Sequence, residues 1–111
     1  MSDIEVIHQF KQKYASDPKE GAAEYLALNL QVNDEESKDS PDLGHDAHRL
    51  SLLGLAVSDL KLDQHEPAAA KIMYDEAVKQ LLNAKNHGQD VTETTRLAQN
   101  LLPYIEHELH P

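Results

Sequence analysis

The sequence predicts an all-α fold, an antiparallel four-helix bundle with a short or bent additional helical segment at the N-terminus. One observation is the spacing of apolar residues, which recur at steps of three and four and so define single helical faces. A second is a series of helix-start signals, each a capping residue or a proline. The third is the lack of an alternating strand pattern. With 111 residues, the chain is predicted to form one domain, residues 1–111.

Two start signals lie close to the N-terminus. Ser2 and Glu5 have the spacing of a capping box, so a first helix is expected to begin at once and to end near Ala15. Asp17 and Pro18 then match the N-cap and the first position of a second helix. Because so few residues separate them, these two helices are predicted to be antiparallel neighbours or a sharply bent pair.

The second helix is predicted to end at about Val32, where a polar and mostly acidic stretch, residues 33–40, is interpreted as a loop. A third helix is expected from Pro41 to about Leu62. It is apolar on more than one side, which is typical of a central helix packed by several neighbours. Gly54 lies in its middle, where the absence of a side chain would let another helix approach closely.

Two further helices are predicted in the C-terminal half. Pro67 opens the fourth, and Gly88 is suited to the left-handed position after its end. Asp90 and Glu93 have capping-box spacing and predict the start of the fifth, in which Pro103 is expected to cause a kink. The main apolar face of this helix consists of Val91, Thr95, Ala98, Leu102, Ile105 and Leu109. The residues that widen this face are Leu97, Leu101 and Tyr104.

The charge balance narrows the possible partners. The chain has 20 acidic and 10 basic residues, a formal net charge of −10 with its seven histidines neutral. Nucleic acids and anionic lipid headgroups repel such a surface, so neither is an expected partner. There is no cysteine, and the acidic start of the chain lacks the features of a signal peptide. A cytoplasmic protein is therefore expected, with no direct insertion into a membrane.

One histidine pair in the third helix is a candidate for metal binding. His45 and His48 are three residues apart, with Asp42 and Asp46 nearby, and such a set can hold one metal ion. The pattern does not match the Glu-x-x-His motifs of di-iron bundles. A position in solvent or at the edge of the apolar face is therefore favoured for His48.

A second pair, His107 and His110, lies in the final helical turn, where cationic side chains interact favourably with the helix dipole. The chain contains no Gly-x-Ser-x-Gly motif and no glycine-rich phosphate loop. It is therefore predicted not to be an enzyme and to need no metal and no cofactor. A metal-dependent enzyme that uses His45 and His48 is retained as an alternative, which requires a tightly bound metal ion.

Three segments in the last two thirds of the chain carry a family resemblance. They are the leucine-rich run 50–53, the run 70–74 that follows the turn before Pro67, and the run 81–83 before the glycine turn. In these segments and in the amphipathic last helix, the chain resembles the class II bacteriocin immunity proteins of lactic acid bacteria, the enterocin A type. The resemblance implies a small four-helix bundle.

The resemblance also implies a function and a partner. Proteins of this family stay in the cytoplasm and protect against a pore-forming peptide whose receptor is the membrane permease of the mannose phosphotransferase system. They bind the complex of receptor and bacteriocin and do not destroy the peptide enzymatically. Their specificity lies mainly in the C-terminal half. Carried onto this chain, that location implies partner-binding roles for Asn86, His87, Gln89, Arg96, Tyr104, Glu106, His107 and His110.

The acidity of the chain, which is unusual for this family, motivates a second interpretation. A small acidic regulatory or inhibitory module would bind a basic partner through residues 34–46. The two interpretations predict opposite mutational maps. Immunity would be sensitive to exposed residues of the last helix and tolerant of charge neutralisation at Asp34, Glu35 and Glu36. An acidic module would show the reverse, with binding that weakens as the salt concentration rises.

Overall fold

The computed structural model describes residues 1–111 and consists of five helices without strands. The helices are α1 (Asp3–Ser16), α2 (Pro18–Lys38), α3 (Leu43–Asp63), α4 (Pro67–Asn86) and α5 (Thr92–Leu109). The prediction of an all-α bundle is confirmed, and α1, with 14 residues, is the shortest helix and the additional N-terminal element. None of the five helices combines the length and the apolar character needed to cross a lipid bilayer.

Helix α3 is the centre of the bundle, because it packs against each of the other four helices. Helices α1, α3 and α5 run in one direction, and α2 and α4 run in the other. The parallel pairs are indicated by contacts at both ends: Asp3 with His48 and Lys11 with Asp59 for α1, and His48 with Thr94 and His65 with Glu108 for α5. Thirteen residues of α3 are buried, which agrees with its predicted central position.

The antiparallel pair α3 and α4 is packed closely around Gly54. A Cβ atom added to Gly54 would lie 2.9 Å from the Cβ atom of Ala77, too near for an ordinary contact. Further along the pair, the Ser58 hydroxyl donates a hydrogen bond of 2.7 Å to the carbonyl oxygen of Ala70. The expectation that Gly54 permits a close approach of helices is confirmed. This close packing offsets the intrinsic helix penalty of glycine, about 1 kcal/mol relative to alanine.

The apolar core is divided into two clusters along α3. The larger has 12 buried residues from α1, α3, α4 and α5, and includes Phe10 and Ile105. The smaller has 7 buried residues at the opposite end and joins the C-terminal half of α2 to the start of α3 and the end of α4. Val32 of α2 belongs to this smaller cluster and is fully buried.

The prediction of a loop over residues 33–40 is wrong, because α2 continues to Lys38. Val32 and Glu35, which are three residues apart, both lie on the buried face of this helix. Packing of that face against α3 stabilises a helix whose exposed positions are polar but helix-compatible. Asp34 and Lys38 add an i, i+4 ion pair of 3.0 Å on the exposed side. The helix ends where Asp39 adopts the left-handed conformation, with φ of 51°.

Two other helix starts lie two residues later than predicted. Helix α3 begins at Leu43, because Pro41 lies in a turn in which the Ser40 hydroxyl accepts from the backbone N–H of Asp42. Helix α5 begins at Thr92, because the Asp90 carboxylate accepts from both the backbone and the hydroxyl of Thr92. The predicted capping box of Asp90 with Glu93 is therefore wrong.

Other local signals are confirmed. Ser2 and Glu5 form the capping box of α1, and the Asp17 carboxylate accepts from the backbone N–H of Glu20 at the start of α2. Gly88 has φ of +88°, the conformation expected after the end of α4. Helix α5 is continuous through the exposed Pro103, and the kink expected at this residue stays a prediction.

Candidate interaction surface

An open apolar groove lies between α1 and α5, with α3 as its floor. This α1–α5 groove has a volume of about 370 Å³. The apolar side chains that define it are Ile4 on α1, Leu55 and Leu62 on α3, and Leu97, Leu101 and Tyr104 on α5. Leu55 is buried, whereas 44% of Ile4 and 68% of Tyr104 remain exposed. The groove is therefore an apolar surface that the rest of the chain does not cover.

The groove exists because α5 is apolar on two adjacent stripes. Ala98 and Ile105 are buried in the larger core cluster and hold α5 against the bundle. Leu97, Leu101 and Tyr104 lie one position earlier on the helix, at steps of four and three, and line the groove. Leu97 and Leu101 are half-buried and Tyr104 is exposed, so this second stripe remains partly in water.

One end of the groove carries an ionic cluster. Lys11 of α1 extends across to two carboxylates of α3, with its Nζ atom 2.9 Å from Asp59 Oδ2 and 2.7 Å from Asp63 Oδ2. Burial lowers the pKa of Lys11, but the hydrogen bonds and charges of Asp63 and Asp59 outweigh burial and raise it overall. Glu108 of α5 lies 3.5 Å from His65 at the same end of the bundle. Two carboxylates, Asp59 and Asp63, thus line this end of the groove and share one cation, Lys11.

The other end of the groove is held by a hydrogen-bonded tie between three helices. The Thr94 hydroxyl donates to Asp3 Oδ2 at 2.5 Å, and Nε2 of His48 lies 2.7 Å from the same hydroxyl oxygen. Because the single hydroxyl proton is given to Asp3, His48 Nε2 must be the donor to Thr94. Sequence spacing does not indicate this tie, since its members are distant along the chain.

The tie does not form a usable catalytic site, although it joins a hydroxyl, an imidazole and a carboxylate. Thr94 is fully buried, so no substrate can reach its hydroxyl oxygen. The hydroxyl also accepts a hydrogen bond from His48 and donates one to Asp3, whereas a nucleophile would need to donate its proton to the imidazole. The arrangement connects α1, α3 and α5.

The histidine pair considered for metal binding is not brought together. His48 faces Thr94 and Asp3, whereas the exposed His45 has its Nδ1 atom 3.3 Å from Asp46 Oδ1. Nowhere in the chain are three or more histidine, aspartate or glutamate side chains arranged to hold a metal ion.

The predicted partner-binding residues fall into two groups at opposite ends of α5, a helix of 18 residues and thus roughly 27 Å long. The first group surrounds the turn between α4 and α5 and contains Asn86, His87, Gln89 and Arg96. Gln89 and Arg96 line a polar hollow of about 500 Å³, and the ring of His87 donates to the carbonyl oxygen of Asn83 at 2.7 Å.

The second group lies at the C-terminal end and contains Tyr104, Glu106, His107 and His110. Nε2 of His110 lies 3.7 Å from a carboxylate oxygen of Glu106, and both His107 and His110 are exposed. Tyr104 alone of the predicted residues lines the α1–α5 groove. The contribution of Ile4 was missed because the sequence does not show that α1 and α5 are neighbours.

A pair of carboxyl groups lies between α2 and α3, with Glu35 buried and Asp46 partly buried. The side-chain amide of Gln31 donates to Glu35 Oε1 at 3.0 Å and to Asp46 Oδ2 at 3.1 Å. Glu35 is 8% exposed, and its Oε2 atom is buried without a hydrogen-bond donor. The adjacent Asp46 carboxylate raises the pKa of Glu35, burial raises it further, and Gln31 opposes both effects. Glu35 is therefore not part of the exposed acidic surface that the sequence analysis assumed.

Comparisons of this chain with protein-family models, with curated proteins and with solved structures found no match. The α1–α5 groove, the polar tie and the buried carboxyl pair are the features from which a function is inferred. Among them, only the groove presents chemical groups that a partner can contact directly.

Proposed function

We propose that the protein is a non-enzymatic, cytoplasmic binding protein that confers immunity to a pore-forming class II bacteriocin. The observation that carries the binding role is the α1–α5 groove, in which Ile4 and Tyr104 remain 44% and 68% exposed beside a floor of leucines. A continuous apolar surface next to an exposed aromatic ring is typical of a protein-binding site.

The family resemblance supplies the identity of the proposed partner. It is the membrane permease of the mannose phosphotransferase system in complex with the bacteriocin, contacted from the cytoplasmic side. The groove side of α5 would bind this complex, together with the C-terminal group that contains Tyr104, Glu106, His107 and His110. A binding mechanism is supported by the burial of Thr94, whose hydroxyl is already engaged by Asp3 and His48.

A second candidate function is an acidic module that binds a basic protein. It is favoured by the exposure of four carboxylates near the turn between α2 and α3: Asp34, Glu36, Asp39 and Asp42. A basic partner would bind this surface mainly by charge attraction, so the affinity would fall steeply with salt. The buried Glu35 would not contact such a partner.

The test is survival of a sensitive Gram-positive host that expresses the protein and is exposed to a panel of class II bacteriocins. Protection against one or a few peptides is expected. Tyr104→Ala should reduce protection, since loss of an aromatic anchor weakens binding by about 2 kcal/mol or more, roughly thirtyfold. The matched control neutralises three exposed charges, Asp34→Asn, Glu36→Gln and Asp39→Asn, and should protect as well as the wild type.

Two outcomes would contradict the immunity proposal. One is the absence of protection by a wild-type chain that is shown to be folded and expressed in the host. The other is the reverse mutational map, in which the charge-neutralised triple variant loses activity and Tyr104→Ala retains it. The reverse map would favour the acidic module, whose partner could then be captured at low salt and released at high salt.

A further inference from the structure

We infer that the α1–α5 groove binds a cationic amphipathic helix of the partner. The apolar face of this helix would lie against Leu97, Leu101 and Tyr104, and its basic residues would pair with the carboxylates at the ionic end of the groove. The cellular identity of the partner rests on the proposed function, whereas the chemistry of the helix follows from the groove itself.

The shape of the groove favours a helix as its occupant. Its walls are two parallel helices, and the stripe from Leu97 to Tyr104 covers two turns of α5, roughly 11 Å. An amphipathic helix lying in a hydrophobic groove is a recurrent mode of peptide recognition, with anchors at positions i, i+3, i+4 and i+7. Because the volume is only about 370 Å³, a few apolar side chains of one helix face would fill it.

The charges around the groove select a basic helix over an acidic one. Asp59 and Asp63 line its ionic end, and Lys11 is the single lysine or arginine that pairs with them. Asp63 is the more accessible of the two carboxylates that share Lys11, since its side chain is 58% exposed and that of Asp59 is 31% exposed. A basic residue of the partner can therefore approach Asp63 without displacing Lys11 from Asp59.

The same charges disfavour two other occupants. A second copy of this chain would bring another net charge of −10 to the groove, and like charges placed together oppose association. An anionic lipid surface would be repelled for the same reason. Electrostatic complementarity also accelerates association with a cationic partner, so the binding rate should fall as the salt concentration rises.

The experiment uses the full-length protein and three synthetic peptides of 14 residues. The first has leucines at positions i, i+3, i+4 and i+7 with lysines elsewhere, the second replaces each lysine with glutamate, and the third scrambles the lysine peptide so that no apolar face remains. Affinities are measured by calorimetry, and the contacted residues are mapped by amide chemical shifts. The lysine peptide is expected to bind at least tenfold more tightly than either control and to shift Ile4, Leu97, Leu101 and Tyr104.

Variants of the protein separate the apolar and ionic contributions. Tyr104→Ala should weaken binding at least tenfold. The control Leu82→Ala should not change it, since Leu82 is an apolar residue of α4 outside the groove and is 54% exposed. Asp63→Asn should weaken binding severalfold and reduce its salt dependence. The matched control Asp34→Asn removes an exposed carboxylate at the other end of the bundle and should leave binding unchanged.

Defined outcomes would overturn the inference: equal binding of the scrambled peptide, chemical shifts confined to residues 34–46, or self-association of the protein through the groove. The survival assay tests the immunity proposal separately from the peptide-binding experiment, so either can fail without the other. If the lysine peptide binds in the groove but the protein protects against no bacteriocin, the immunity proposal is wrong and the assignment of the groove stands. If the protein protects but no peptide binds in the groove, the assignment of the groove is wrong.

Discussion

Two polar clusters differ in how fully their side chains are hydrogen-bonded. One is the tie at one end of the α1–α5 groove, and the other is the carboxyl pair between α2 and α3. In the tie, Thr94 has one donor and one acceptor partner, so the three side chains satisfy one another. In the carboxyl pair, Glu35 and Asp46 share a single amide donor, and one oxygen of Glu35 has no donor at all. The first arrangement leaves none of its three members without a partner, whereas in the second the adjacent Asp46 raises the pKa of Glu35, so the stability of the pair depends on pH.

This difference bears on the two candidate binding surfaces. The groove borders helices α1, α3 and α5, which are held in place by complementary hydrogen bonds, so its shape should be well defined before a partner binds. The acidic surface lies next to a pair of like charges, so the local packing of α2 against α3 should depend on pH. Substitutions in the two clusters should therefore change stability in opposite directions.

Thr94→Val should have the largest effect on stability. The substitution keeps the shape of the side chain but leaves the Asp3 carboxylate and the His48 imidazole without their shared partner. The free energy of unfolding, measured in urea, should fall by about 1–3 kcal/mol. Thr95→Val is the matched control, since Thr95 is only half-buried on the same turn of α5, and it should change stability by less than about 0.5 kcal/mol. Equal losses in both variants would contradict the stabilising role of the tie.

Glu35→Gln should have the next largest effect, and it should be stabilising at neutral pH. The folded-state pKa of Glu35 is raised above its unfolded value, so the folded chain holds this proton more tightly than the unfolded chain does. The associated stability is fully present below the unfolded pKa and is lost as the pH rises through the folded pKa. A neutral amide removes this loss and supplies a donor to Asp46, which should raise the free energy of unfolding by about 1 kcal/mol at pH 7.

Urea titrations from mildly acidic to neutral pH provide the measurement for Glu35→Gln. The wild type should lose stability relative to the variant as the pH rises. Glu36→Gln is the matched control, because Glu36 is exposed and glutamine can still accept the hydrogen bond from Asn83. A constant difference between wild type and Glu35→Gln across this pH range would contradict the predicted pH dependence, because it would show that Glu35 does not titrate there.

The helices could be predicted from the sequence because their signals are local. The capping pair Ser2 and Glu5, the left-handed Gly88 and the apolar spacing of α5 each depend on residues within a few turns of one another. The end of α2 could not be predicted in this way. Residues 33–38 are polar, and they are helical because Val32 and Glu35 are buried against α3, which is a tertiary effect.

The candidate site was less predictable for the same reason. Tyr104 was identified through the family resemblance, but its neighbour Ile4 is 100 positions away and becomes part of the groove only when α1 and α5 pack side by side on α3. The tie of Asp3, His48 and Thr94 likewise joins three helices. No sequence spacing links such residues, so only the arrangement of the helices reveals them.

Tyr104→Ala should have a smaller effect on stability than either buried substitution. Because 68% of Tyr104 is exposed, the free energy of unfolding should fall by no more than about 0.5 kcal/mol. Peptide binding and protection should nevertheless decrease, which would separate the function of this residue from folding. A loss of more than about 1 kcal/mol in urea would indicate that Tyr104 holds α5 in place, and a loss of protection could then be due to unfolding.

Asp34→Asn should have the smallest effect. The ion pair of Asp34 with Lys38 is exposed on both sides, and such i, i+4 pairs contribute only about 0.3–0.5 kcal/mol. Removal of one carboxylate also relieves repulsion in a chain with a net charge of −10, so the two effects should nearly cancel in urea titrations. A large loss would mean that exposed charges hold the end of α2 in place. The charge-neutralised triple variant would then lose structure as well as charge, and the Asp34 surface could be tested as a binding site only with basic partners at increasing salt.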